Sequence, residues 1–439
     1  MRILFLPSDS GGGFGHVSRC LALAAEACDR GHDCGFILND SKYERIVNAQ
    51  FPVMLQKPWR SRALRLYQTA ANLHKSQPNP PPLYIGISGM DFQVVRDGLT
   101  SQKAIAATLK RYLRAVHEFK PDILVGDTNL MAWILGQSAN LPVVQIVRYA
   151  FHPETARLIW WDKIPAEIKP PRSVDIFNRF LHLKGLPAIS KAEDLLRGNF
   201  YIVPSIPAIE PIECKDGLTV HVGALLRRND VRETHFSIAP MAGDPHLIYV
   251  TIGGGAGFVG HQQFFSSIVK AFGGRPVQVV ISTGGKFDVS FIEDSAGNIS
   301  CHDWLPGREL IASADLVIFH GGYATMMETV DAAKPSIVVP FHTEQESNGR
   351  RLEQLGCAGV LKLSKSPYEC VQNYLYARAY SYVIQRSYDL STDELSAATE
   401  KTLNDPCYAE AAKNLQNTMR SYGGAELAME LIEHRFSGH

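Results

Sequence analysis

The chain has no surplus of charge. Lysine plus arginine number 44 and aspartate plus glutamate number 44 among 439 residues, so no global field draws in nucleic acid or an anionic membrane. Its eight cysteines are scattered, with no Cys-x-x-Cys pair and no histidine grouped with them at metal spacing. A zinc site or a disulfide framework is thereby excluded, and the thiols read as reduced and mostly buried. No apolar run approaches the roughly 20 residues needed to cross a bilayer. The opening run Ile3-Leu4-Phe5-Leu6 follows a single basic residue and gives way to the polar, glycine-rich Ser8–Gly15. That pattern is a strand and not a signal peptide, and the cytoplasm is the expected compartment.

What is present is ordinary for a soluble globular protein: 45% apolar and 20% charged residues. A chain of 439 residues exceeds a single core, so two domains are expected. Strand-like apolar runs alternate with helix-like periodic segments throughout, which argues an α/β protein with parallel sheets. The first half offers strands at Arg2–Pro7, Phe36–Leu38, Ile123–Val125 and Val143–Val147. A helix from about His16 has Val17, Leu21 and Ala24 on one face, and Gly31 stops it. A second series runs through Leu247–Ile252, Val277–Ser282, Leu316–Phe319 and Ile337–Pro340. The polar stretch between them sets the expected bounds: a first domain at 1–226, a linker at 227–245 and a second domain at 246–439. The last helix is a candidate for packing back on the first domain.

The segment His320-Gly321-Gly322-Tyr323-Ala324-Thr325-Met326-Met327-Glu328 follows the buried-strand run Leu316–Phe319. The glycines let the backbone turn tightly into a helix starting near Gly322, which leaves its first N–H groups free. A helix N-terminus beside an imidazole suits a diphosphate without a metal, because dipole and orphan donors both favour negative charge. Thr325 adds a hydroxyl. Gly253 and Gly254, after the strand Leu247–Ile252, read as a loop passing close to the same phosphates.

The spacing His-x-Gly-x-x-Thr-x-x-Glu, followed by Glu344-Gln345-x-x-Asn348, resembles the donor-site signature of GT-B glycosyltransferases, in particular the natural-product, macrolide and plant glucosyltransferases. The resemblance implies two facing Rossmann-like domains, with the acceptor bound in the first and a nucleotide-sugar donor in the second. It also implies that His320, Gly322 and Thr325 contact the diphosphate, that Glu328 holds the ribose hydroxyls, and that Glu344 and Gln345 bind the donated sugar. Trp304, in Asp303-Trp304-Leu305-Pro306, falls where the family stacks an aromatic on the nucleobase; stacking alone does not select a base. The chain departs from the plant members at Ala324, where they carry Asn, and at Gly307, where they carry Gln. Glu346 reads as surface.

The first glycine turn, Gly11-Gly12-Gly13-Phe14-Gly15-His16, brings an imidazole to the mouth of a strand–helix junction. The resembled family places its general base here, and histidine can take a proton near neutral pH. Such a base needs a carboxylate on its other nitrogen. Asp127, just past Ile123–Val125, stands where the family has that Asp; otherwise it is an N-cap for a helix opening at Thr128-Asn129. A dinucleotide reading of this turn fails on spacing, and the later Gly255–Gly260 match to Gly-x-G-x-x-Gly lacks a following ribose carboxylate.

The expected activity is inverting, metal-independent transfer from a nucleoside-diphosphate sugar, UDP rather than dTDP, to a small-molecule hydroxyl. No Asp-x-Asp occurs, no cofactor beyond the co-substrate is called for, and nucleic acid is not an expected partner. The rivals are a lipid-acceptor transferase resembling the peptidoglycan precursor enzyme, a nucleotide-sugar hydrolase suggested by Gly-x-Gly-His-x-x-Arg-Cys, and a binding-only protein. Two regions match nothing recognised, Ser41–Thr100 and Ser366–Tyr388; the first is where the resembled family shapes its acceptor pocket. The block Leu158-Ile159-Trp160-Trp161 with Arg148 and His152 is a candidate acceptor wall. The arginine-rich run Trp59–Tyr67 is a candidate peripheral membrane contact, although such runs are usually solvated helix faces.

Overall fold

The computed structural model describes residues 1–10, 13–55, 82–155, 158–213, 217–227, 243, 245–253, 261–284, 297–375 and 378–436. The run 59–67, Gly254, the Gly255–Gly260 match and most of the expected linker lie outside these residues.

Two parallel sheets carry the fold. The first contains β1 (Arg2–Pro7), β2 (Asp33–Leu38), β3 (Val53–Leu55), β5 (Ile123–Asp127), β6 (Val143–Ile146), β7 (Phe200–Val203) and β8 (Thr219–His221), in the order β3-β2-β1-β5-β6-β7-β8. The second contains β9 (His246–Thr251), β10 (Val277–Ser282), β11 (Ile299–His302), β12 (Leu316–Phe319), β13 (Ser336–Val338) and β14 (Ala358–Val360), in the order β11-β10-β9-β12-β13-β14. Strands of this kind are apolar at every position because helices cover both faces. Thus Leu316, Val317, Ile318 and Phe319 are all fully buried, alternating between two core clusters.

In each sheet the strand order reverses beside the first strand, which opens a crevice at the carboxyl ends. The register fixes what meets there. Pro7 pairs with Asp127 at the end of β1 and β5, so the turn into α1 (Gly15–Asp29) rises beside Asp127. Thr251 pairs with Phe319 at the end of β9 and β12, so Gly253 and His320 lie side by side. Two further helices border this crevice, α2 (Tyr323–Asp331) and α3 (Thr343–Gln354).

The chain crosses back at its end. The helix Pro406–Arg420 buries Ala412, Leu415 and Met419 with the second sheet's core, while α4 (Ala425–Phe436) buries Ala428, Met429 and Ile432 with that of the first. Gly423 and Gly424 between them both take positive φ (84° and 61°), a conformation costly for other residues. Arg30 and His32 then bind Glu433 at 3.0 and 2.7 Å.

The two unrecognised regions meet each other. β15 (Glu369–Leu375) pairs antiparallel with β16 (Arg378–Gln385) as a hairpin, and β16 pairs antiparallel with β4 (Tyr84–Gly86) from the first half. Leu83 N–H donates to Gln385 C=O at 2.8 Å, and Ile85 N–H donates to Phe341 C=O at 2.9 Å. Lys169 and Ser381 exchange backbone bonds at 3.1 and 2.8 Å. The strand is thus held by both halves at once. Gly86 is required at the crossing, since a Cβ there would come within 2.5 Å of Val383 Cγ2 and 3.0 Å of Trp160 Cη2.

Three expectations are corrected. Glu346 is not surface: it is 6% exposed and takes hydrogen bonds or ion pairs from Tyr84 (2.7 Å) and Lys362 (3.0 Å), partners contributed by distant segments. The thiols are not mostly buried, because Cys28, Cys370 and Cys407 are exposed and Cys301 is half-buried. The helix after β5 starts at Ala132, not Thr128, because Thr128 takes a positive φ of 52° and Asn129 Oδ1 accepts from Met131 N–H at 3.0 Å. Among the described residues no helix is long and apolar enough to cross a membrane.

Candidate active site

His16 and Asp127 meet. Nδ1 of His16 lies 2.7 Å from Oδ1 of Asp127, whose side chain has no exposure, while the imidazole is 26% exposed. Asp127 caps no helix. Burial alone would raise its carboxyl; Arg19 and then His16 outweigh that and hold it at about 2, so it is ionised.

Arg19 is the residue the sequence reading missed. One helical turn after His16 on α1, it grips Asp127 with two bonds, Nε to Oδ2 at 2.7 Å and Nη2 to Oδ1 at 2.8 Å. The i, i+3 spacing from His16 was the available signal, since it puts both side chains on one face.

Across the crevice stands the turn after β12. The His320 ring is wedged between two glycines. A Cβ on Gly253 would come within 2.8 Å of its Cε1, and one on Gly322 would overlap its Nε2. Gly321 has φ of 84° and lies where a Cβ would meet Gln345 C=O at 2.5 Å. Gly322 is the N-cap of α2 and gives it no side-chain cap, so no N-cap side chain occupies the first N–H groups. Thr325 is half-buried on the first turn. Gly15, Ser18 and Arg19 face Tyr323, Ala324, Met327 and Glu328 across a narrow cleft. A Cβ on Gly15 would sit 3.5 Å from that of Ala324, so the small residue at 324 leaves room for the first turn. Desolvation pushes the Glu328 carboxyl up to about 7 despite Arg308 and Arg227. Trp304 presents its ring to solvent, 63% exposed.

Glu344 and Gln345 are both engaged internally. Gln345 Oε1 accepts from Phe341 N–H at 2.9 Å and closes the turn before α3. Glu344 takes Nη1 of Arg148 at 2.6 Å. Arg148 also reaches Glu210 (2.9 Å) and Asn348 (2.6 Å), and its guanidinium lies 3.7 Å over the Tyr323 ring. Burial would raise Glu344, but Arg148, His342 and His16 bring it to about 2. His152, by contrast, is buried against Tyr201 and bonded to Thr219, in the core of the first half.

Residues 247–382 match the glycosyltransferase family 28 C-terminal domain. Over 431 residues the chain is 23% identical to the NDP-glycosyltransferase YjiC of Bacillus subtilis, covering 96% of this chain and 94% of that one. Among solved structures it resembles the glycotransferase of kitacinnamycin (TM-score 0.69, 18% identity, 99% of each chain). It also resembles the calicheamicin glycosyltransferase CalG4 (TM-score 0.66, 19% identity, 100% of this chain and 98% of that one). The fold is GT-B.

Proposed function

We propose that this GT-B protein, which resembles the natural-product glycosyltransferases, is an inverting glycosyltransferase. It moves a sugar from a nucleoside diphosphate, UDP before dTDP, to the hydroxyl of a small molecule. The observation that carries the reading is the 2.7 Å contact of the ionised Asp127 with His16, on the helix whose Gly15, Ser18 and Arg19 face Tyr323 and Ala324 in the first turn of α2.

In the base-competent tautomer Nδ1–H donates to Asp127, leaving the Nε2 lone pair to take the acceptor's proton. The acceptor oxygen attacks the anomeric carbon as the bond to the diphosphate oxygen breaks on the opposite face, which inverts the centre. The leaving diphosphate gains charge beside the N–H groups of α2 and His320, donors already oriented before reaction. Glu328 faces the ribose hydroxyls, Trp304 offers a stacking face for the base, and Glu344, held by Arg148 through Oε1, meets the sugar hydroxyls. β4 belongs to the 41–100 segment, where the resembled family shapes its acceptor pocket, and this favours an organic acceptor over water.

Calorimetry with UDP and dTDP, with and without EDTA, on wild type and His320→Ala is the first test. Binding that survives EDTA and weakens in His320→Ala supports the donor site; binding of neither nucleotide sinks the reading. Donor turnover that releases free sugar equally with and without an acceptor panel would replace transfer by hydrolysis.

A further inference from the structure

We propose that Arg19 is a positioning residue for the base: it locks the Asp127 carboxylate in the orientation that faces His16. The inference rests on the proposed function, since it gives a task to a side chain that a His–Asp pair alone does not need.

Three observations carry it. Arg19 spends Nε and Nη2 on the two oxygens of Asp127, the planar two-bond grip that fixes a carboxylate's rotation. The same Nη2 lies 2.9 Å from His16 Nδ1; with Nδ1–H donated to Asp127 both groups are donors, and they share the Asp127 Oδ1 acceptor at 2.8 and 2.7 Å. Arg19 is itself held, 6% exposed and 5.4 Å over the Tyr323 ring, with Arg148 on the same ring at 3.7 Å.

The geometry decides the consequence. Tyr323 and Arg148 face Arg19, which faces Asp127 in turn. A carboxylate bonded to His16 alone could turn either oxygen toward the ring. With Nε on Oδ2 and Nη2 on Oδ1, Arg19 holds Oδ1 toward Nδ1, so Asp127 fixes the tautomer that leaves Nε2 free to act as a base.

The test compares Arg19→Met, Arg19→Lys and His16→Ala as full-length proteins, by UDP calorimetry and by kcat and acceptor KM for transfer. Arg19→Met is expected to bind UDP as wild type does and to lose roughly 100-fold in kcat with little change in acceptor KM. Arg19→Lys keeps the charge without the two-bond grip. It is expected to stay low in kcat with UDP binding intact, and it remains decisive if Arg19→Met fails to fold. Wild-type kcat in either variant, or a loss that lies in UDP binding or acceptor KM and not in kcat, overturns the proposal while a dead His16→Ala leaves the transferase reading standing. Full transfer by His16→Ala overturns both.

Discussion

Arg148 and Glu344 meet at 2.6 Å, joining the end of β6 in the first half to the start of α3 in the second. Arg148 is 8% exposed at its side chain and also neutralises Glu210, which is 5% exposed. Replacing it by Met would leave Glu210 buried without its cation, a loss of about 3–5 kcal/mol. Urea unfolding measures this directly, and a loss below about 1 kcal/mol would show that the cluster contributes little.

The base pair has its own expected outcome. His16→Ala and Asp127→Asn should each lose about 100-fold to 10,000-fold in transfer, while UDP binding by calorimetry stays near wild type. The contact of His16 with Asp127 predicts that the two losses do not multiply in the double variant.

Gly322→Ala places a methyl group against the His320 ring, which is already confined by Gly253. The ring must turn out of the cleft or α2 must shift. Donor affinity is expected to fall about tenfold or more, on the scale of one charge-assisted hydrogen bond, with thermal unfolding little changed. Equal affinity in wild type and variant would remove His320 from the diphosphate site.

Gly86→Val should prise β4 from β16, because a Cβ at 86 has no room between Val383 and Trp160. Hydrogen exchange at Leu83 and Ile85, whose amides donate across the junction, is expected to quicken sharply. Donor hydrolysis should rise relative to transfer as the halves open to water. Unchanged exchange at both amides would mean that the hairpin does not hold the halves together.

Glu328 gives a pH signature. Its carboxyl is raised by burial to about 7 in the folded protein, so it costs nothing while protonated in both states and becomes a growing cost between about pH 4.5 and 7. Glu328→Gln removes that cost. The variant is expected to melt at a higher temperature than wild type above pH 7, to match it near pH 4, and to bind UDP more weakly. A stability difference independent of pH would contradict the assignment.

Much of the site was legible because it is local in the chain. The run Leu316–Phe319, the glycines at 321 and 322 and the periodic residues after them encode strand, turn and helix within about fifteen residues, and the structure places each as read. The same holds for β1, its turn and α1. The charged partners were less accessible. Arg19 stood one turn from His16, yet its grip on Asp127 spans 108 positions, and Arg148 reaches Glu344 across 196. Glu346 read as surface because its partners Tyr84 and Lys362 come from separate segments.

By itself, the sequence determined the two series of strands and helices, the two glycine turns and the histidines at their mouths, since hydrophobic periodicity and backbone freedom act over a few residues. Only the tertiary structure decided which carboxylate each cation neutralises, and that β4 of one half is paired with the hairpin of the other. Such pairings depend on the distance between segments far apart in the chain, which sheet order and register set and no local pattern encodes.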